Sequence, residues 1–490
     1  MKRVNGKVLT SLFLTLLIVT SAFFCVSCGE KEKKTSSKVS SSEKEAAEKK
    51  AEVSPLEELQ KKHEFYYYSS LPLAVNNSAA QTIGAGSDSN KETAIAGVYE
   101  EDGKRYVVLL KDAEETENIN LTGNITLNLC GNTLTVKKGI NVIGENSVVN
   151  IDGTVEKSQI TIDVGDTETV SMITCGSTNT LNVIGGTYAA KLSGDGIKEI
   201  KTILCDDSSI LNLKDCEIIA KSGCEAELGA LSIGGSAKAT IQNCKLNADS
   251  TNGKAFTIYC KPSSVSEIKK CDIYAHSQHV SSKGIYISKG ATAKIDDTKV
   301  FADSRSSHNE QLSSGIQNVG EATITNCNVY GNHSGMQTNV GAKTYVTGGR
   351  FESPSHGGIY FSHGSSGEAY IEGAEIAMCE YKGRYGSIEI GANGGLYIGA
   401  SSDEGNYMSI YFNNCEFINA GGPAFVLSST YGGKYNTVYV SNSRISNINQ
   451  KIRIDSTTHK VYIGTGCNFT AENTRLPSAV IMTDEVYTRP

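Results

Sequence analysis

LNLKDCEI at 211–218, TIQNCKL at 240–246, EIKKCDI at 267–273, KIDDTKV at 294–300 and TITNCNV at 323–329 are one motif written five times. Their anchors, Cys216, Cys244, Cys271, Thr298 and Cys327, stand 28, 27, 27 and 29 residues apart. A repeat of this length means a solenoid or an array, because one such unit cannot bury its apolar face without a neighbour. Later copies read YVTGGRF (345–351), YIEGAEI (370–376), YFNNCEF (411–417) and YVSNSRI (439–445).

Within a repeat, apolar and polar residues alternate over runs of three to five, too short for helices, with Gly or Asn between them. In the unit opening at Gly284, Ile285 to Ile287 is one strand, Thr292 to Asp296 a second and Lys299 to Phe301 a third. Three strands per turn make a coil. Asn243, Asn326 and Asn414 fall in the short turn between the second and third strands, where a residue that accepts left-handed backbone is needed. Each repeat lacks the helical segment of a leucine-rich unit and the fourth strand of a propeller blade. The composition agrees, with 49 Gly, 7 Pro, 23 Tyr and no Trp in 490 residues. The expected fold is all-β, a parallel β-helix over 121–470, with 55–120 as an N-terminal cap and 471–490 as a C-terminal cap or tail.

These units resemble the right-handed β-helix of the pectin lyase superfamily. VVLLKD (107–112) followed by LNLCGNTL (127–134) is similar to the start of pectate-lyase-like adhesive domains on bacterial surface proteins. The resemblance is specific for fold and weak for activity, because the superfold hosts lyases, hydrolases, epimerases, phage spikes and adhesins. It implies a ligand groove along the outer face of the first strand of each coil. Alternation places Tyr286, Gln317, Gln337, Tyr360, Glu389 and Arg453 there. Amides, phenols and a few charges suit a hydroxyl-rich chain, and equally suit an ordinary solvated sheet.

The turn after the third strand collects His276, His279, His308, His333 and His356 in successive repeats. Those turns differ in length and are rich in Gly and Ser, so exposed loop histidines are expected in place of a metal site. The longest insertion, 391–407, is read as the turn after the first strand that carries Glu389. Enzyme relatives imply acidic calcium ligands with an Arg or Lys base, or clustered Asp with Gly-His-Gly and Arg-Ile-Lys. Here stand Ser355-His356-Gly357, Ser362-His363-Gly364 and Arg453-Ile454-Asp455. Neither pattern is present. If a site exists, Glu389, His356, His333, Tyr360, Arg350 and Arg384 are the group to test. The sequence therefore favours a non-catalytic adhesin binding a glycan or another surface ligand, with a polysaccharide lyase or glycoside hydrolase as the alternative. No cofactor and no metal are expected, and a monomer is.

Fourteen cysteines suggest disulfides until their spacing is compared. Cys216, Cys244, Cys271, Cys327 and Cys415 recur with the coil, the mark of a buried stacked position. Pairing of neighbours such as Cys244 and Cys271 stays geometrically open at a rung spacing of about 4.8 Å.

The net charge of −7 is modest and the basic residues are scattered, which argues against nucleic acid. Lys2, Arg3 and Lys7 precede an apolar run over 8–26, the order of a secretory signal. CVSCG at 25–29 resembles the lipobox of bacterial lipoproteins, which implies residues 1–28 as signal, lipidation at Cys28 and an extracytoplasmic, membrane-anchored protein. Cys25 departs from the usual Leu, and an uncleaved anchor of about 19 residues is the alternative. Residues 29–54, Ser, Lys and Glu with little apolar, read as a solvated tether. SPLE at 54–57 then reads as a capping box with Pro at the first helical position, opening a short helix that covers the first coil.

Overall fold

In the computed structural model, residues 53–71, 87, 90–164, 169–193, 199–304, 313–339, 341–354, 357–362, 367–378, 396–398, 408–419, 423, 425–427, 437–446, 452–454 and 459–488 are described. The signal, Cys28 and nearly all of the tether lie outside them, as do His308, His356, Arg384 and Glu389. No helix among the described residues is long and apolar enough to cross a membrane.

The repeats fold into coils of three strands, and each strand pairs in parallel with its counterpart one coil away. The first strands, from Ile119–Leu121 to Ile452–Ile454, form one thirteen-stranded sheet. The third strands, from Ala113–Glu115 to Arg444–Ile445, form another of thirteen. The second strands and the cap strands make the remaining wall, and the three are called the first, second and third sheets after the strand of the coil that each collects. Inward positions are Ile, Val, Leu, Phe and Ala with essentially no exposure, joined in one continuous core from Leu71 to Ala479. That continuity is why a coil is stable only in a stack.

The anchor column is a packing position. Cys216, Cys244, Cys271, Cys327 and Cys415 are at most 4% exposed, and Thr298 and Ser443 fill the same place in their coils. Only small side chains fit beside the turn. All eleven described cysteines are free, and Cys216 and Cys244 hold their sulfurs 3.4 Å apart as thiols. The turn before the anchor takes positive φ at Asp215, Asn243, Lys270, Asp297, Asn326, Asn414 and Asn442. Asn and Asp dominate because they tolerate that backbone at least cost.

Outside, the second sheet is finished with ladders. Asn212 donates to Asn182 at 2.8 Å and Asn182 to Asn150 at 2.8 Å. Further along, Tyr345, Tyr370, Tyr411, Tyr439 and Tyr462 stack with centroids 4.6 to 5.9 Å apart. Identical side chains at one rung spacing satisfy each other's polar and apolar needs.

The helix forms at Pro55–Lys62, where the Ser54 side chain accepts from the Glu57 N–H at 3.2 Å. It leads into Tyr66–Tyr68, which runs antiparallel to Ala96–Glu101. Phe65 packs with Tyr99 and Val108, and a Cβ on Gly97 would sit 2.3 Å from the Phe65 ring, so only glycine admits that seat. Parallel pairing already begins with Lys104–Leu109 against Asn124–Asn128, earlier than the repeat motif becomes legible. At the far end Val480–Met482 pairs onto Lys460–Ile463 and closes the stack.

Candidate functional site

Along the first sheet the longer strands, from Thr169–Cys175 to Gly357–Phe361, skip one residue in their register, a bend that separates two columns. Lys201, Gly229, Phe256, Lys283, Ser314 and Ser334 are in register in one. Ser232, Tyr259, Tyr286, Gln317, Gln337 and Tyr360 are in register in the other. The expected order Tyr286, Gln317, Gln337, Tyr360 is therefore the observed one. At the bend Gly284, Gly315, Gly335 and Gly358 stand in successive coils. A Cβ on Gly315 would lie 2.4 Å from Val329 Cγ1 and 2.7 Å from the Gly335 carbonyl, so the strand runs too close to its neighbours for a side chain.

The two columns meet in a compact cluster. Phe256, Tyr259 and Tyr286 hold ring centroids 5.2 to 5.9 Å apart, with Tyr259 edge-to-face on Tyr286. Lys283 lies across them, its Nζ 5.6 Å from the Phe256 centroid and 4.9 Å from that of Tyr286, and donates to Gln317 Oε1. Gln317 Nε2 donates to Asn339 at 3.2 Å, and Ser314 donates to Gln337 at 3.2 Å. Burial, with the neighbouring Lys254 charge, pulls the Lys283 ammonium down to about 8, against a weaker opposing pull from Glu227. Burial and Tyr259 push the Tyr286 phenol up.

Next to this cluster the same sheet carries charges. Lys201 and Glu199 pair at 2.7 Å. Burial and Glu199 raise the Glu227 carboxyl, and burial and Lys201 lower the Lys261 ammonium. The face thus offers aromatic rings, amides and an ammonium with a lowered pKa beside a mixed-charge patch.

Several expectations change. Gln317 and Tyr360 occupy outward register positions but are only 7% and 8% exposed, because neighbouring side chains close over them. His333 is not an exposed loop residue. It is 4% exposed and edge-to-face with Tyr360 at 5.1 Å. His276 lies on a strand, Asp272–Ser277, with Nδ1 3.5 Å from Asp303. Arg350 is on the third sheet, bonded to Glu352 at 3.0 Å and Glu375 at 2.9 Å, and is not brought to the groove. Glu389 is not the rung after Tyr360. Tyr360 pairs with Tyr397 of Leu396–Ile398, inside the stretch expected to be the inserted turn. Ile388-Glu389-Ile390 and Leu396-Tyr397-Ile398 share one alternation, and periodicity cannot choose between them. Among the described residues no three His, Cys, Asp or Glu side chains converge as a metal site.

Residues that the sequence reading missed are Phe256, Tyr259 and Lys283. The signal was available, since Ala255–Cys260 aligns with Ser282–Ile287 one motif length away.

Residues 201–376 match the family described as right handed beta helix region. This stretch is a right-handed β-helix. Among solved structures, the catalytic domain of a GH87 alpha-1,3-glucanase in complex with nigerose is 12% identical with a TM-score of 0.32, over 74% of this chain and 64% of that one. The Azotobacter vinelandii mannuronan C-5 epimerase AlgE6 A-module is 9% identical with a TM-score of 0.30, over 78% and 90%. The chain thus spans less than two thirds of the glucanase domain's length. No curated protein matches the sequence.

Proposed function

We propose that this β-helix is a surface-tethered recognition protein that binds an extracellular glycan along its first sheet. The observation that carries the reading is the cluster of Phe256, Tyr259, Lys283 and Tyr286 with Gln317 and Gln337 beside it. Aromatic rings bury the apolar faces of sugars, and the amides and amine bond hydroxyls or carboxylates. A row of rungs at about 4.8 Å favours an extended chain over a single sugar. Attachment through a lipid on Cys28 and the 29–54 tether is part of the same proposal and rests on the N-terminal sequence.

One pair of residues favours the alternative, polysaccharide lyase or hydrolase chemistry. Lys283 is lowered and Glu227 raised toward neutrality on one face, which is how an acid and a base are tuned. The two readings separate in a screen of acidic and neutral polysaccharides for new reducing ends or unsaturated products. Binding without product supports recognition; product formation lost in Lys283→Met or Glu227→Gln overturns it in favour of an enzyme.

A further inference from the structure

We propose that the outer face of the third sheet is a contact surface for a second copy of this chain, packed with its coil axis reversed. The centre of that face is apolar and open. Tyr274, Phe301 and Tyr330 stack with centroids 5.4 and 4.7 Å apart and planes within 10°. Tyr274 is 37% exposed and Phe301 39%, in a protein whose other large apolar side chains are mostly buried. They line a shallow depression of about 490 Å³ bordered by Glu217, Lys245, Asp272, Lys299 and Arg350. Inside the stack each ring covers its neighbour, so what remains is a ridge of ring edges. A ridge of edges with open apolar area suits a flat protein surface.

The charges beside the ridge say which protein surface. Register orders them Glu217, Lys245, Asp272, Lys299, Asn328, Arg350, one per coil. Among the described residues none of the first four has an ion-pair partner within 4 Å; Glu217 accepts only from Thr187, at 3.4 Å. Two such faces related by a twofold axis lying along the strands present the column to itself in reverse. With the axis between Asp272 and Lys299, Asp272 faces Lys299 of the second copy and Glu217 faces Arg350, while Lys245 faces the neutral Asn328. Each directly facing charged pair is then of opposite sign, and the Asp272–Lys299 pair, repeated about the axis, carries the complementarity, because Arg350 is already bonded to Glu352 and Glu375. Shifting the axis onto Asp272 or Lys299 sets like charges together. The same axis sets Tyr274 against Phe301, and His276 against Asp303, of the second copy.

Six rungs of about 4.8 Å by a strand of about five residues span roughly 500 Å² per copy. That is small for a permanent dimer, so the pair is reversible and salt-sensitive. The test is sedimentation of the full chain between about 1 and 100 μM at low and high salt, with melting curves as a folding control. Wild type dimerises reversibly at low salt. Asp272→Lys and Lys299→Asp each weaken the dimer about tenfold or more, because each places like charges opposite one another at two symmetric points. Mixing the two single variants restores dimers, as does combining both substitutions in one chain. A wild type that stays monomeric across the range, or a dimer indifferent to these charge reversals, overturns the proposal.

Discussion

Lys283 shows what one residue contributes to this face. Its ammonium is held over two rings, and burial lowers it from near 10.5 to about 8. The unfolded chain therefore binds more protons between those values, and stability rises with pH from about 8 to about 10.4 on account of this residue. The difference in melting temperature between wild type and Lys283→Met is expected to shift in wild type's favour across that window and to be flat below pH 7. The same residue gives the glycan a charge preference. Affinity for an acidic oligosaccharide should fall as pH passes about 8, while affinity for a neutral one changes little; equal profiles for both would remove Lys283 from the binding surface. The cysteines carry a second expectation at this scale. Burial raises Cys260 to about 11 and Cys415 to about 12, which suppresses the thiolate and slows oxidation. Thiol titration of the denatured, unreduced protein should find most cysteines outside the signal region free.

The strands and turns of a coil were largely legible because their rule is local. Alternation gave the strands, and Asn243, Asn326 and Asn414 marked a turn that does take positive φ. Alternation puts Tyr286, Gln317, Gln337 and Tyr360 in one column for the same reason, and their register agrees. What alternation could not supply was how closely neighbours cover a side chain, hence the buried Tyr360 and His333, or which of two equal tripeptides makes a rung, hence Tyr397 in place of Glu389. The bend in the first strand was also invisible, since it depends on an inter-coil approach. Gly315→Ala tests that approach: the added methyl meets Val329 and the Gly335 carbonyl, and stability should fall by about 1–3 kcal/mol in denaturant titration. A neutral result would show that the bend has room to spare.

At the scale of the whole molecule, the stack of coils carries different chemistry on each side: amide and tyrosine ladders on the second sheet, a charged ridge on the third, and the aromatic and amide cluster on the first. The 29–54 segment buries little by composition, so its deletion should leave the melting transition unchanged, and Cys28→Ser should move the protein from the membrane fraction to the soluble one if lipid is the anchor. The most direct test of the central claim is a glycan array read with wild type and Tyr259→Ala/Tyr286→Ala, followed by calorimetry on the best oligosaccharide. Wild type is expected to bind, the double variant to lose about tenfold or more in affinity while still unfolding in one cooperative transition, and Lys289→Ala, in the adjacent turn, to bind as wild type does. Full affinity in the double variant, or no glycan bound by wild type, would contradict it.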